Sequence, residues 1–417
     1  MNATHQEKAI GYLLTHSHSQ SSRAAESVAH ILKTARMHLG MDIAFIAELV
    51  DRQPVFRHIE AAGNELPFQV GEVALTDGNY CQRMMEGSIP QLIPDTSTVP
   101  GAAELPVTRA LPVGAYVGVP IRLQDGSVYG TFCCLSFAPD HSLNERDLKM
   151  MRVFADLTAY HIDQDLDKAR EHSQKIAQVR RIIEKEQLST VYQPIYNLTD
   201  NRIVGFECLT RFSEKPARTP DVWFAEAMEV GLGVQLEGAA IRKALLGLSL
   251  LPGEVYLALN VSPTMLLSSE FASMLDEVPA DRVVLELTEH TSISDYSALS
   301  IALEPLRRRR IRLAVDDAGA GYASLQHILN LQPDIIKIDL SLIKNIDIDP
   351  ARRALTSALI NFSREIGSSI VAEGVETVAE LDTLRVLGVR KAQGYVLQRP
   401  MLLADAARLC GFKLHNL

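Results

Sequence analysis

Acids, amides and a lysine close the short apolar runs in the second half of this 417-residue chain. Glu207 follows Ile203-Val204-Gly205-Phe206, Asn260 ends VYLAL, Glu286 and Glu289 close VVLELTE, and Asp316-Asp317 end RLAV. Lys337 and Asp339 sit in IIKID, Glu373 ends SIVA, and Gln393 precedes Gly394-Tyr395. Any one of them has an ordinary explanation, because an acid after a strand caps the next helix and a lysine pairs with a neighbouring acid. The whole set does not, since polar groups at strand interiors are costly. Several carboxylates gathered around one amide cannot all stay ionised without cations, and hard oxygen ligands select Mg²⁺ or Mn²⁺ rather than zinc. Two such ions about 3.5–4 Å apart serve in-line attack of water on a phosphodiester. A lysine beside them positions that water or neutralises developing charge. The residues therefore predict a metal-dependent phosphoester hydrolase.

That chemistry requires the strand ends to meet. Beyond residue 188 the segments VYLALNVS, RVVLELTE, IRLAVDD, DIIKIDLSLI, SIVAEGVE and KAQGYVLQ alternate with helical stretches. The alternation predicts a parallel sheet, and its repetition over about 230 residues favours a (β/α)₈ TIM-like barrel, whose strand ends share one rim. Upstream, AAESVAHILKTARMHL reads as a helix and residues 42–49 and 55–63 as strands. AYVGVPIRL and SVYGTFCCLSF flank Asp125-Gly126, which predicts a hairpin closed by a tight primed turn. The first half is thus an α+β domain with an antiparallel sheet. Ser142 and Glu145 form a capping-box pattern, and the absence of Pro and Gly from there to Gln187 predicts one long helix. Some 45 residues would span roughly 65 Å, so the helix connects two domains. Ile162, Leu166, Ala169, Ser173, Ile176, Arg180 and Ile183 repeat at 4-3 spacing, which suits either a parallel helix pair between two chains or an exposed linker. The expected boundaries are a tail over 1–21, the α+β domain over 22–165, the connecting helix over 166–187 and the barrel over 188–417.

Composition agrees with two globular domains: 47% hydrophobic and 22% charged residues. A net charge of -10 argues against binding long nucleic acid. No apolar run approaches the 18 residues of a membrane span, and the opening residues lack a signal pattern, so a soluble cytoplasmic protein is expected. Five scattered cysteines, none in a C-x-x-C pair, are read as reduced structural thiols, Cys81 among them as a packed thiol without a partner. His16 and His18 are read as part of a solvated tail.

Glu207-Cys208-Leu209-Thr210-Arg211, preceded by YQPIYNL at 192–198, resembles the EAL-x-R signature of the EAL family of cyclic-di-GMP phosphodiesterases. Asn260-Val261-Ser262, ELTE at 286–289, DDAGAGYASL at 316–325, KID at 337–339, AEGVET at 372–377 and QGY at 393–395 follow in the family's order. The resemblance implies that Glu207, Asn260, Glu286 and Asp316 hold metal and that Asp317 holds a second ion or bridges both. Lys337 and Glu373 would order the attacking water, with Glu373 and Gln393 completing the shell. Arg211 would grip a substrate phosphate, and Gln193 would line the nucleotide groove. Glu289, Gly319 and Gly321 belong to the loops that join metal binding to dimer contacts in this family. The implied reaction opens cyclic-di-GMP to linear pGpG in a homodimer; the alternative is a catalytically weak or inactive effector that binds the dinucleotide and signals to a partner. Cys208 stands at the name-giving alanine, and Ala318, Ala320 and Ala323 replace Phe, Thr and Ser of the family loop. The first domain resembles a GAF sensor in its strand order, its GNYCQRMMEG stretch and its hairpin, with an unknown small ligand or signal. No GG(D/E)EF motif is present, so the resemblance does not extend to synthesis of the dinucleotide.

Overall fold

Strands in the first half are apolar at both parities, and a strand that hides both faces needs cover on both sides. The structure, a computed structural model, describes residues 21–63, 68–74, 78–287, 293, 295–319 and 322–411. It divides into two units, Met1–Ser173 and Gln174–Leu417.

In the first unit, β1 (Ile43–Val50), β2 (Gln53–Ala61), β3 (Leu92–Ile93), β4 (Ala115–Arg122) and β5 (Val128–Ser136) form an antiparallel sheet in the order β2-β1-β5-β4-β3. Ala44, Ile46, Val117, Val119, Phe132 and Cys134 face Val28, Leu32 and Ala35 of α1 (Ser21–His38) and Leu148, Met151 and Ala155 of α2 (Glu145–Glu184). Ile43, Phe45, Tyr116, Cys133 and Leu135 face the other way, against Tyr80, Cys81, Met84 and Ile89. The hairpin differs from expectation. Leu123 and Ser127 pair across three loop residues, the Gly126 amide donates to the Leu123 carbonyl, and Gly126 alone has a positive φ, 82°. This is a three-residue loop with a left-handed glycine rather than a two-residue primed turn.

The long helix forms as predicted but is capped two residues later. Asn144 accepts from the Arg146 amide at 2.9 Å, and Asp147 accepts from the Asn144 amide at 2.9 Å. Ser142 is drawn instead into a turn on Asp140, donating both its amide and its hydroxyl. Leu148, Met151, Ala155, Ala159 and Ile162 make one continuous stripe on the domain core, so the first position of the 4-3 seam read from the sequence serves that core.

Eight strands close the barrel of the second unit: β6 (Leu188–Asn197), β7 (Arg202–Phe212), β8 (Tyr256–Asn260), β9 (Val283–Leu287), β10 (Arg312–Ala318), β11 (Ile335–Ile338), β12 (Ser369–Ala372) and β13 (Lys391–Ala392). The sheet is not wholly parallel: β6 runs antiparallel to both β7 and β13. Only residues 198–201 separate β6 from β7, too few for the crossover that parallel neighbours require. Among the described residues no helix is long and apolar enough to cross a membrane.

The last seam of the barrel is a backbone contact. The Val375 amide donates to the Gln393 carbonyl, the Val396 amide donates to the Val375 carbonyl, and a Cβ on Gly394 would lie 2.1 Å from the Val375 oxygen. Gly394→Ala must therefore spread the loops that carry Glu373 and Gln393, at a cost of about 1–3 kcal/mol. The only tryptophan, buried Trp223, reports on this unit. A lower urea midpoint by Trp223 fluorescence is expected, and an unchanged midpoint would show that the seam yields freely.

Candidate active site

Side chains alternate along a strand, so every second residue of each barrel strand points inward. Following that parity upward, the interior first meets Tyr256, with the Arg312 guanidinium 4.5 Å and the Lys391 ammonium 5.8 Å from its ring centre. Next comes an apolar layer of Ile195, Ala258, Val284, Ala314, Ile335 and Val371. Two residues further along the same strands stand Asn260, Glu286, Asp316, Lys337 and Glu373, with Gln393 two residues beyond Lys391 of β13, joined by Glu207, which pairs with Ala258 in register. The polar ring is thus the inward parity of the strand ends, resting on a dry floor.

Lys337 occupies the centre, 1% exposed. Its Nζ lies 2.7 Å from Glu373 Oε1, 3.0 Å from Glu286 Oε2, 3.2 Å from Asp316 Oδ2 and 3.6 Å from Glu207 Oε1. Four acids thus share one ammonium. Gln393 Nε2 donates to Glu207 Oε2 at 2.5 Å and to Glu373 Oε1 at 2.7 Å, fixing two acids side by side. Burial would lower the lysine pKa, but Asp316, Glu207, Glu286 and Glu373 together outweigh it and raise it well above the ordinary value. Burial pushes the Glu286 carboxyl up to about 8, with Glu207 and Asp316 adding to the shift and Lys337 opposing it. Glu373 is likewise pushed well up, first by burial and then by the neighbouring acids.

One ammonium does not neutralise this ring. Carboxylate oxygens of Glu207, Glu286 and Asp316 lie within 4.8 Å of one another, as do those of Asp316, Asp317 and Glu373. Asp317 enters the second group because the β10–β11 register slips between Val315 and Ala318, giving Asp317 a φ of 54° and turning consecutive acids toward one region. Buried Gln393 Oε1 lacks a hydrogen-bond partner. Convergent oxygen donors, excess negative charge and an orphaned acceptor fit hard divalent cations.

Most residues singled out in the sequence meet here, and some do not. Asn260 ends β8 beside Glu286 and is half-buried. Gln193 is buried on β6 opposite Glu207, and Arg211 is exposed near the end of β7 with its guanidinium on the Thr210 carbonyl. Asp339 is not part of the ring: it caps the short helix Leu340–Ile343 through the Ser341 amide. Gly319 is an exposed turn residue with a φ of 106°, while Glu289, Ala320 and Gly321 and the Ala323 side chain lie outside the described residues. Cys208 points away from the site into the apolar layer behind the barrel wall. Two supporting acids were not foreseen. Glu237 accepts from the amide and hydroxyl of Ser262 at 2.5 and 2.7 Å, holding the turn after Asn260. Glu380 accepts from the amides of Asn345, Glu376 and Thr377, tying the loop after Glu373 to the one after Lys337. The T-x-x-E pattern at 377–380 was a readable signal for the second.

The fold and the ring together define an α/β barrel with an acidic centre at the carboxyl ends of its strands. A family model described as the EAL domain matches residues 176–400, more than half of the chain. The chain belongs to the EAL family. A GAF domain model matches residues 24–162. The bifunctional diguanylate cyclase/cyclic di-GMP phosphodiesterase MucR of Pseudomonas aeruginosa is 32% identical over 259 residues, covering 57% of this chain and 37% of that protein. Cyclic di-GMP phosphodiesterase PdeB of Shewanella oneidensis is 30% identical over 255 residues, covering 58% and 30%. The chain therefore spans between 30% and 37% of the length of these curated relatives. Among solved structures, the PaMucR phosphodiesterase with c-di-GMP aligns with a TM-score of 0.51 at 28% identity, covering 56% of this chain and 99% of that one. The EAL enzyme Bd1971 in its cAMP and cyclic-di-GMP bound form aligns at 0.55 over 89% and 93%, but at 18% identity it shows the fold alone.

The raised carboxyl pKa values set a pH dependence. The folded, metal-free ring keeps a proton on Glu286 up to about pH 8, whereas the unfolded chain gives it up near a glutamate's ordinary 4.5. This contribution to stability is complete below the lower value and is lost as pH rises toward the upper one, by at most about 1.4 kcal/mol per pH unit. In EDTA, the urea midpoint read at Trp223 should fall between pH 6 and pH 8, and Glu286→Gln should flatten that fall. Equal slopes in both proteins would remove Glu286 as the proton's holder.

Proposed function

We propose that the protein hydrolyses cyclic-di-GMP to linear pGpG in its EAL barrel, using two divalent cations, Mg²⁺ or Mn²⁺, under regulation by the GAF domain. The observation that carries this reading is the single buried ammonium of Lys337 held within 2.7–3.6 Å of four carboxylates from four separate strands. The relatives named as cyclic di-GMP phosphodiesterases and the likeness to the PaMucR complex supply the substrate.

Glu207, Asn260, Glu286 and Asp316 would hold one cation, and Asp317 with Glu373 would hold or bridge the second. When bound, the cations lower the pKa of the attacking water and stabilise the charge that develops on the departing oxygen. The chain's own groups do the rest. Gln393 aligns Glu207 with Glu373, so the acid that faces Lys337 most closely is fixed in position. Lys337 and Glu373 order the water for attack on phosphorus in line with the P–O3′ bond, whose breakage leaves the 5′-phosphate of pGpG. Arg211, exposed at the rim, takes a non-bridging phosphate oxygen, and Gln193 faces the nucleotide groove. The apolar layer of Ile195, Ala258, Val284, Ala314, Ile335 and Val371 closes the site from below and keeps the local dielectric low. The proposed acting form is a homodimer, as the family resemblance implies, in the cytoplasm, as expected from the lack of a signal pattern and of a long apolar run in the sequence.

Incubation of the full chain with cyclic-di-GMP and Mn²⁺ or Mg²⁺, with products separated by chromatography, tests this directly. pGpG should accumulate and stop on addition of EDTA, and Glu207→Gln should lower kcat at least about a hundredfold while the fold is retained. Undiminished turnover in Glu207→Gln would overturn the site. Tight dinucleotide binding without product would replace the hydrolase by a receptor, the role to which the altered loop at Ala318 would then belong.

A further inference from the structure

The first unit contains a pair of thiols that the sequence does not place together. Cys81, in the short helix Tyr80–Met85, and Cys133, on β5, are 52 residues apart, yet their sulfurs lie 3.7 Å from each other. Both are buried, 2% and 0% exposed. The surroundings are not wholly apolar: the Tyr116 hydroxyl lies 3.2 Å from Cys133 Sγ, and the Thr131 hydroxyl is buried without a hydrogen-bond partner of its own. Nothing in the phosphodiesterase chemistry uses this pair. The reading of Cys81 as a thiol without a partner is therefore corrected by the fold.

Other pairings are closed off by geometry. Cys134 is adjacent to Cys133 in sequence but points to the opposite face of the sheet, where its sulfur meets Met151 Sδ at 3.9 Å. Cys208 and Cys410 belong to the second unit. A disulfide within the first unit thus has one available pairing.

We infer that Cys81 and Cys133 form an oxidisable dithiol site that reacts with a small uncharged hydroperoxide and closes to an intramolecular disulfide. The Cys81 thiolate attacks one peroxide oxygen and the O–O bond breaks, giving the Cys81 sulfenic acid and hydroxide, which takes up a proton to leave as water. Cys133 sulfur then attacks Cys81 sulfur, the S–O bond breaks, and a second water leaves with the Cys133 proton. Two thiols are oxidised and one hydrogen peroxide is reduced to two waters. Cys81 is the attacking group because it sits on the short helix whose opening admits the peroxide, and contact with Cys133 lowers its pKa. Hydrogen peroxide is close to water in size, and local opening of the Tyr80–Met85 helix suffices to admit it. The product would tie that helix covalently to the centre of the sheet.

The test treats the full-length protein with hydrogen peroxide, quenches with catalase, counts thiols after denaturation and maps cross-linked peptides by mass. Free thiols should fall from the five of the sequence to three. The cross-link should join Cys81 to Cys133, and dithiothreitol should restore all five. Cys81→Ser and Cys133→Ala should each abolish the paired loss. Cys410→Ser, away from the pair, should still lose two thiols, and the cross-link map of the unmutated protein tests the pairing whether or not the core variants fold. Five surviving thiols under conditions that consume free cysteine, a cross-link to any other cysteine, or paired loss persisting in Cys81→Ser would each overturn the inference.

Discussion

A buried ammonium ringed by carboxylates is the interaction on which the rest of the barrel depends. At 1% exposure Lys337 has no water to carry its charge, and only the acids of neighbouring strands make the charged form tolerable. The acids depend on the lysine in turn, since burial raises the pKa of Glu286 and Glu373 and the ammonium opposes that shift. Such a mutual arrangement requires strands from opposite sides of a closed sheet to end at one height. Closure sets the separations and register sets the height. The alanines at 258 and 314 keep the layer beneath narrow enough for the other strands to fill.

The bracing outside the ring follows from the same constraint. Strand ends leave backbone amides without sheet partners, and loops that bear ligands cannot be left to wander. Glu237 and Glu380 accept those amides, one behind Asn260 and the other behind Glu373, each reaching in from a helix that follows a barrel strand. The helix after β12 thus fixes the exit of its own strand, while the helix that carries Glu237, which follows β7, fixes the exit of the next strand, β8.

Much of this was legible in the sequence because strand ends carry a chemical signature that their interiors lack. Glu207, Glu286, Asp316, Lys337, Glu373 and Gln393 were each visible as a polar residue terminating an apolar run, and the structure brings all six into contact through Lys337 and Gln393. Asp339 carried the same signature and even shares the inward parity of Lys337, yet it is a helix cap, because the helix Leu340–Ile343 begins at the next residue and its Ser341 amide takes the carboxylate. Neither parity nor position at a strand end separates Asp339 from Lys337; the helix that starts immediately after it does. The antiparallel β6 was also within reach, since four residues cannot cross a barrel. The cap of α2 was decided by competition: Asp140 captured Ser142 before the helix could. No local pattern announces a contact such as that between Cys81 and Cys133, which exists only once the sheet has chosen its order.

The two units meet the cost of buried polar groups in opposite ways. In the barrel, burial opposes every charge, and the charges persist by being shared among strands, so the region is prepared for cations that complete the neutralisation. In the sheet of the first unit, Cys133 and Tyr116 are instead held neutral by burial, and only Cys81, assisted by its neighbour, is drawn toward ionisation. A low dielectric therefore favours metal binding where carboxylates converge and a selective, slow thiol chemistry where they are absent. The difference lies in which inward parity carries acids and which carries sulfur, a choice made one residue at a time along strands of otherwise similar apolar character.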